Sequence, residues 1–518
     1  MPVFGSGRIC GVVAAGTAVE AIRQFSIAQG PGGRLQTLEV RLDHLRSPVE
    51  RATFLRWLGR QRMRSVVIAT CRRLQGGGQF QGRIEDELAV LKQAADIGCA
   101  WCDVEIETAS QIDPAELKQA LAPAFVLISA HDFMRVPASL PALVRRLDSL
   151  GAPAIKIAAA CRSLTDARRL LDVAQGRRDV VAIPMGEAVF PARILALREG
   201  SALAYAAVEN STAPGQLSLN ATRNVYRLNR RFGRSSAPTR RTRLYGVIGD
   251  PVGHSLSPLM HNTAFAARGV DAVYLPFHVR ELRDFLAAVE SFRISGFSVT
   301  LPHKQRILRY LDECDPLAAE VGAVNTVVVR GQRLYGYNTD YVGVLRAIQK
   351  RVPLRSARVL LVGAGGAARA AAFALARGGA TVAIWARRPE RARALARAVH
   401  GEAIERRALG SEFFDAIVNC TPVGMHPGGG SPLTARELNA RVVMDTIYRP
   451  RTTELLRRAK RRGIETISGV EMFLAQGIAQ WEMWIGERAP EKSMRSAVLM
   501  ALDQEERDTA KRPGRPRR

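Results

Sequence analysis

The stretch ARVLLVGAGGAARAAAFALARGGATVAIWARR, residues 357–388, decides the fold of the second half of the chain. It reads as strand, glycine turn, helix and strand. An apolar β-branched run meets V-G-A-G-G-A-A (362–368), an alanine-rich helical run follows, and ATVAIWA closes it. The loop is a variant of G-x-G-x-x-G in which Ala368 holds the third glycine position. Such a turn aims backbone N–H groups and the positive end of a helix at a pyrophosphate. Gly363, Ala364, Gly365, Gly366 and Ala367 are therefore the candidate dinucleotide contacts. The second strand ends in Arg387 and Arg388. An NAD binder usually places an acidic residue there for the ribose hydroxyls; two arginines favour a 2′-phosphate, hence NADP.

Upstream of this block the apolar runs are LYGVIGD (244–250), VYLPFHV (273–279) and ISGFSVT (294–300). Polar groups gather where such runs end. SVTLPHK stops at Lys304, GAVNTV carries Asn325 and GYNTD carries Asp340. A lysine and an aspartate brought together could exchange a proton with a substrate hydroxyl. The plainer alternative is a surface salt bridge with turn asparagines, worth little for stability. Ser255 and Ser257 precede a helical pattern beginning near Pro258, where hydroxyls more often cap than bind. Before all of these lies RRFGRSSAPTRRTR (230–243), basic, turn-rich and without apolar periodicity, which reads as a linker.

The first ~220 residues alternate short β-rich runs with longer helical patterns, and the runs number eight. They are ICGVVAA (9–15), TLEVRLD (37–43), SVVIATC (65–71), WCDVEIE (101–107), FVLISAHD (125–132), AIKIAA (154–159), VVAIPMG (180–186) and ALAYAAV (202–208). Eight β–α alternations predict a parallel (β/α)8 barrel with its site where the strands end. Polar residues interrupt the runs near those ends: Glu39, Arg41 and Asp43; Thr70 and Arg72; Asp103 and Glu105; His131 and Asp132; and Lys156. Lys156 is one of only eight lysines among 75 basic residues. Desolvated among apolar neighbours, it is expected to have a lowered pKa and to act as a Schiff-base nucleophile. His131 could move protons, with Glu105 orienting it. Arg41, Arg72 and Arg193 could hold a carboxylate. The alternative is a set of ion pairs inside a barrel, with Lys156 paired to a carboxylate.

In this order TLEVRLD, IATCR, DVE, SAHDF, PAIKIAA and TAPGQLS resemble the type I 3-dehydroquinate dehydratases, over about residues 9–220. The resemblance implies that Lys156 forms an imine with the C3 ketone of 3-dehydroquinate. It implies that His131 takes the C2 proton and helps expel the C1 hydroxyl, with Glu105 behind it. Glu39, Arg41, Arg72, Arg193, Thr212 and Gln216 match its substrate-binding positions. Gln75 replaces an acidic residue often seen in the family, and Thr212 stands where many members have serine. In the second half GHSLSP, VTLPHK, GAVNTV, GYNTD, GAGGAAR, NCTPVGM and SGVEMFLAQG resemble shikimate dehydrogenase, over about 244–485. That resemblance implies Lys304 and Asp340 as the catalytic pair. It implies that Ser255, Ser257, Thr300, Asn325, Tyr448 and Gln476 contact shikimate. It also implies NADP contacts from Gly363 to Ala367, Arg387, Arg388 and Gly469. Ala386 and Arg388 depart from the family, where members often read Asn and Thr around the matching arginine.

The expected domains are a barrel over 1–229, a linker over 230–243, a substrate domain over 244–345 and a Rossmann domain over 346–470. C-terminal helices over 471–504 return to the substrate domain, and a disordered basic tail covers 505–518. The whole is expected to convert 3-dehydroquinate through 3-dehydroshikimate to shikimate. A protein whose barrel only binds or regulates is the alternative. At 518 residues and 47% hydrophobic the chain has material for several cores. The excess of 75 Lys+Arg over 48 Asp+Glu gives +27, spread along the chain rather than gathered as a nucleic-acid footprint. KRPGRPRR at the end resembles a minor-groove hook, yet the dispersed charge argues against nucleic acid as partner. Seven cysteines show no framework spacing, and Cys99 and Cys102 have no second pair to complete a zinc site. No membrane span is expected, and free thiols fit the cytoplasm.

Overall fold

A computed structural model describes residues 4, 8–30, 35–211, 213, 215–233, 235, 237–426 and 428–510. In the first half eight strands coincide with the eight apolar runs. They are β1 (Ile9–Val13), β2 (Thr37–Arg41), β3 (Val66–Thr70), β4 (Trp101–Glu105), β5 (Phe125–Asp132), β6 (Ala154–Ala160), β7 (Val180–Met185) and β8 (Ala204–Ala207). They lie in the order β7-β6-β5-β4-β3-β2-β1-β8, all parallel, and the short β9 (Leu217–Ser218) follows β8. The Ala202 N–H donates to the Val180 carbonyl at 2.8 Å, bringing the entry of β8 to the start of β7 and closing the ring. Inside it, Cys10, Ile68, Trp101, Leu127, Ala154, Val181 and Tyr205 form one buried cluster with Phe4, whose ring lies 4.7 Å from that of Trp101. The side chains of Thr17, Ser47, Asp113, Ser139 and Ser163 each accept a first-turn N–H, so the turns into these helices are written locally.

The second half holds two sheets. β10 (Arg243–Gly249), β11 (Ala272–His278), β12 (Ile294–Val299), β13 (Glu313–Cys314), β14 (Thr326–Arg330) and β15 (Arg333–Tyr337) form a mixed sheet ordered β11-β10-β12-β14-β15-β13. β14 runs antiparallel to both β12 and β15. β16 (Arg358–Val362), β17 (Thr381–Trp385), β18 (Glu402–Ala403), β19 (Phe414–Asn419), β20 (Ala440–Asp445) and β21 (Glu465–Ile467) form a parallel sheet ordered β18-β17-β16-β19-β20-β21. That is the 3-2-1-4-5-6 order of a dinucleotide-binding sheet, with its crevice where the order reverses, at β16 and β19.

Several boundaries differ from those expected. The helix Thr339–Gln349 runs through 345/346, and the helix Gly469–Ile485 runs through 470/471. A continuous helix carries no local break at either expected boundary. The last helix spans Glu491–Ala510, so residues 505–510 continue it and are no tail; Lys511–Arg518 lie outside the described residues. Met494, Val498 and Leu502 bury one face of this last helix, and Arg451 donates to Asp503 at 2.9 Å and Arg449 to Glu505 at 2.6 Å, which holds the helix past residue 504. The described residues up to Leu244 form one compact unit with Gly269–Arg293, and Tyr245–Arg268 forms another with the described residues from Ile294 onward. Within the first unit Arg168 stands over the Phe292 ring at 5.2 Å, and Arg230 donates to the carbonyls of Val270 (3.1 Å) and Ala272 (2.6 Å).

The described residues of the stretch expected as a linker pack within the first unit. Phe232 is buried, and Arg198 donates to the Thr242 carbonyl at 3.0 Å. Glu199, buried at the end of the helix Ala192–Glu199, takes ion pairs from Arg198, from Arg168 at 2.8 Å and from Arg240 at 3.2 Å. Removing the carboxylate would leave buried guanidinium charge uncompensated, which typically costs ~3–5 kcal/mol. Glu199→Ala should therefore lower the thermal midpoint of the first unit, read by intrinsic fluorescence, whereas exposed Glu107→Ala should leave it unchanged.

Candidate active sites

Strand alternation turns Lys156 to the inside of the barrel and its sequence neighbours Ile155 and Ile157 to the outside. This corrects the expectation of an apolar surround. Lys156 is only 2% exposed, but its ammonium touches the Asp103 carboxylate, lies 3.2 Å from Glu39 and stands over the Tyr205 ring at 5.1 Å. Thr70 on β3 donates to the same Glu39 oxygen at 2.9 Å. Burial would raise Asp103, but Lys156 and Arg72 outweigh it and hold its carboxyl well below the usual range.

His131 follows on β5, two residues past Ser129, which pairs with Lys156 across the ladder. Its Nδ1 is 3.1 Å from the Glu105 carboxylate. Arg72 bridges the groups, with Nε 2.5 Å from Glu105 and Nη2 3.2 Å from Asp103. Ser129 donates to Asp103 at 2.6 Å. Burial and the Arg72 charge push the His131 imidazole down, against the pull of Glu105. Glu105 lies below the usual carboxylate range, because Arg72 and His131 outweigh its burial. Nδ1–H thus faces an ionised carboxylate, and Nε2 is left as an acceptor.

Arg41 is buried and donates to both oxygens of Asp43, at 2.9 and 2.8 Å. Arg193 is buried on the helix after β7, where desolvation brings its guanidinium down to about 10. Gln216 accepts from Ser211 at 3.5 Å, and Gln75 is exposed on a short turn. Thr212 lies outside the described residues. A cavity of about 220 Å³ at the ends of β1, β2 and β8 is lined by His44, Arg46, Gln79, Asn210 and Ser211. Ser129, Tyr205 and this lining were not singled out from sequence. Only Ser129 and Tyr205 carried a signal, being inward positions of their strands. The buried Cys99 and Cys102 remain free thiols, and no metal-binding group occurs among the described residues.

In the second half Lys304 and Asp340 meet at 2.5 Å, and Asp340 is 6% exposed, so this is no surface pair. Asn325 donates to Asp340 at 2.8 Å and to Thr339 at 3.0 Å, while its own oxygen accepts the Thr339 N–H at 2.7 Å. Gln480, from the helix Gly469–Ile485, donates to Thr326 at 3.0 Å and accepts from Ser298 at 3.0 Å. That helix therefore lies on β12 and β14. Gln476, one turn earlier, is buried beside Gly343, on the helix that carries Asp340. Ser255 accepts the Ser257 N–H at the start of the helix Ser257–Arg268, the capping use of its hydroxyl. Burial raises the Tyr448 hydroxyl, and Arg449 and hydrogen bonds at Leu256 and Ser255 oppose that. Thr300 packs against Gly249, where an added Cβ would come within 2.5 Å of its methyl.

The glycine loop suits a dinucleotide. Gly363 adopts φ +117°, and its N–H donates to the Trp385 carbonyl at 2.7 Å. A Cβ on Gly365 or Gly366 would meet nothing within 4 Å, so space lies open before the helix Gly366–Arg377, whose first N–H groups have no side-chain cap. Arg387 and Arg388 are exposed just past β17. At Gly469 an added Cβ would lie 2.4 Å from the Ile447 carbonyl, so only glycine admits this close approach. Asp445 was not foreseen. It is buried, accepts from Thr453 (2.6 Å), the Ile447 N–H (3.0 Å) and Asn419 (3.0 Å), and burial pushes its carboxyl up to about 6.

A charged lysine site inside a parallel barrel and a Lys–Asp pair beside a dinucleotide sheet define a two-centred enzyme, a lyase and a dehydrogenase in one chain. Residues 9–232 match the type I 3-dehydroquinase family model. Residues 247–327 match the shikimate dehydrogenase substrate binding domain, 346–421 match shikimate / quinate 5-dehydrogenase, and 469–499 match the shikimate 5'-dehydrogenase C-terminal domain. A chloroplastic bifunctional 3-dehydroquinate dehydratase/shikimate dehydrogenase from Arabidopsis thaliana is 34% identical over 93% of this chain and 83% of its own. Shikimate dehydrogenase (NADP(+)) from Thermococcus kodakarensis is 42% identical over 51% of this chain and 98% of its own. The solved shikimate 5-dehydrogenase of Thermus thermophilus, in complex with NADP(H) and shikimate, is 36% identical over 50% of this chain and all of its own, with a TM-score of 0.48. The chain belongs to the bifunctional 3-dehydroquinate dehydratase/shikimate dehydrogenase family.

Asp445 gives a pH test. Its folded-state pKa lies above the unfolded value, so the stability it contributes is present at low pH and is lost as pH rises through about 6. Asp445→Asn removes that loss. The thermal midpoint of the variant relative to the parent should rise between pH 4 and pH 7; a difference that stays flat would show Asp445 ionised throughout.

Proposed function

We propose that the two centres carry out consecutive steps. The barrel dehydrates 3-dehydroquinate to 3-dehydroshikimate, and the second half reduces that ketone to shikimate with NADPH. One arrangement carries this conclusion: Lys156, compensated by Asp103 and Glu39, stands beside His131 on the neighbouring strand β5, and His131 is paired in turn with Glu105 on β4. The amine, once its proton passes to a carboxylate, adds to the C3 ketone and loses water to give an imine. Neutral His131 takes the C2 proton at Nε2 while Glu105 stabilises the imidazolium. The same proton leaves with the C1 hydroxyl as water, and hydrolysis of the imine returns Lys156. Glu39, Arg41, Arg72, Arg193, Thr212 and Gln216 are assigned to substrate.

In the second centre bound NADPH supplies the hydride. Lys304 and Asp340 place a proton at the forming hydroxyl, and Asn325 keeps Asp340 in register. Ser255, Ser257, Thr300, Asn325, Tyr448 and Gln476 are assigned to the shikimate side. The loop from Gly363 to Ala367, together with Gly469, is assigned to the pyrophosphate side, and Arg387 and Arg388 to the 2′-phosphate. The barrel, the substrate-binding part and the dinucleotide-binding part remain the functional divisions of this proposal. No helix among the described residues is long and apolar enough to cross a membrane. Seven free cysteines support the cytoplasm as compartment.

Borohydride added with 3-dehydroquinate should fix the ligand at Lys156. Lys156→Ala should abolish dehydration and leave reduction of supplied 3-dehydroshikimate nearly unchanged, and Lys304→Ala should do the reverse. Loss of both activities in either variant would point to a shared site.

Replacing Arg387 and Arg388 with neutral residues should weaken NADPH by ~1.5–3 kcal/mol, the worth of charge-assisted hydrogen bonds, and leave NADH little affected. Equal weakening of both cofactors in a binding titration would make the arginines surface charge only.

A further inference from the structure

Glu87 belongs to none of the motifs above. It lies on the helix Ile84–Asp96, is 1% exposed, and accepts from Thr108 at 2.9 Å. Arg73 reaches it with Nε at 3.1 Å and donates from Nη2 to Thr108 at 3.2 Å. A buried ion pair is a poor way to gain stability, because desolvation offsets most of the attraction. What it does gain here is a fixed Arg73.

Arg73 is the pivot of the loop after β3. Its carbonyl accepts the N–H groups of Gly76 (3.1 Å) and Gly78 (3.0 Å), and its backbone bridges to Phe80. The loop then lies on the acid–base groups. A Cβ on Gly76 would come within 2.9 Å of the Glu105 carboxyl carbon, and one on Gly77 within 2.3 Å of the Phe133 ring, which stacks near His131. At its far end the Gln79 N–H donates to Asp43 at 3.1 Å, the carboxylate that grips Arg41. One loop therefore touches the support of His131 and the support of Arg41, and a single clamp sets its start.

We infer that Glu87 is a positioning residue for the dehydration step, acting through Arg73 to hold the glycine loop against Glu105 and Phe133. The inference rests on the dehydratase reading above. It is tested on the full-length chain by dehydratase kcat and KM, with borohydride trapping at Lys156 reporting that the barrel is folded. Glu87→Ala should trap normally and lose ~10–100-fold in kcat with a smaller change in KM, the scale of a sub-ångström misplacement. Glu87→Gln, which keeps the acceptor for Thr108 and Arg73, should recover most of that loss. Arg73→Met breaks the same grip without emptying the buried site and should lose a similar factor. The double variant Glu87→Ala/Arg73→Met should be no worse than either single one, since both act through one contact. Normal trapping with unchanged kcat in both single variants overturns the inference. Loss of trapping in both makes the clamp purely structural and overturns it equally. A parent chain that does not dehydrate 3-dehydroquinate at all instead overturns the dehydratase reading.

Discussion

The first half of the molecule depends on the compensation of one charge. An ammonium 2% exposed is tolerated because Asp103 touches it and Glu39 stands at 3.2 Å. Two carboxylates facing one lysine would leave an excess of negative charge in a closed barrel. Arg72 balances it, reaching Asp103 with one nitrogen and Glu105 with another. Burial and, after it, the Arg72 charge lower the His131 pKa, so the arginine that offsets these carboxylates also favours a neutral imidazole. Substitutions anywhere in this network should therefore couple.

The second centre is organised around a neutral group. Asn325 sits at the entry of β14 and holds Asp340 and Thr339 with its amide, so the carboxylate that meets Lys304 is oriented before any ligand arrives. Behind it, Gln480 ties β12 and β14 to the helix Gly469–Ile485. That helix starts at Gly469, beside the dinucleotide sheet, and ends with Trp484 donating to the Val327 carbonyl at 3.1 Å. One helix thus runs from the parallel sheet to the mixed sheet.

The two centres share a construction rule. In the barrel the polar groups occupy inward positions of the strands, in the second half they lie just beyond strand ends of the mixed sheet, and in both the apolar positions carry the fold. The product of the barrel reaction is the ketone that the second centre reduces, so the fusion joins consecutive chemistry. Neither group of catalytic side chains draws a member from the other compact unit.

The sequence by itself determined the eight barrel strands, the first three strands of the second half, and the strand–glycine turn–helix–strand unit that opens the dinucleotide sheet. Period-2 apolar runs, helix caps and the glycine loop are local signals, readable without any long-range contact. Lys156, His131 and Glu105 were legible because polar residues inside apolar strands stand out. What surrounds Lys156 was not legible, because strand alternation sends its apolar sequence neighbours to the other face and brings Asp103 and Glu39 from strands far away in the chain. That helices run through two expected boundaries was not legible, nor was the contact of Arg240 with buried Glu199, whose partners come from three separate segments. Asp445 and Glu87 were invisible for the same reason: a buried carboxylate is defined by what packs around it, and only the tertiary structure decides that.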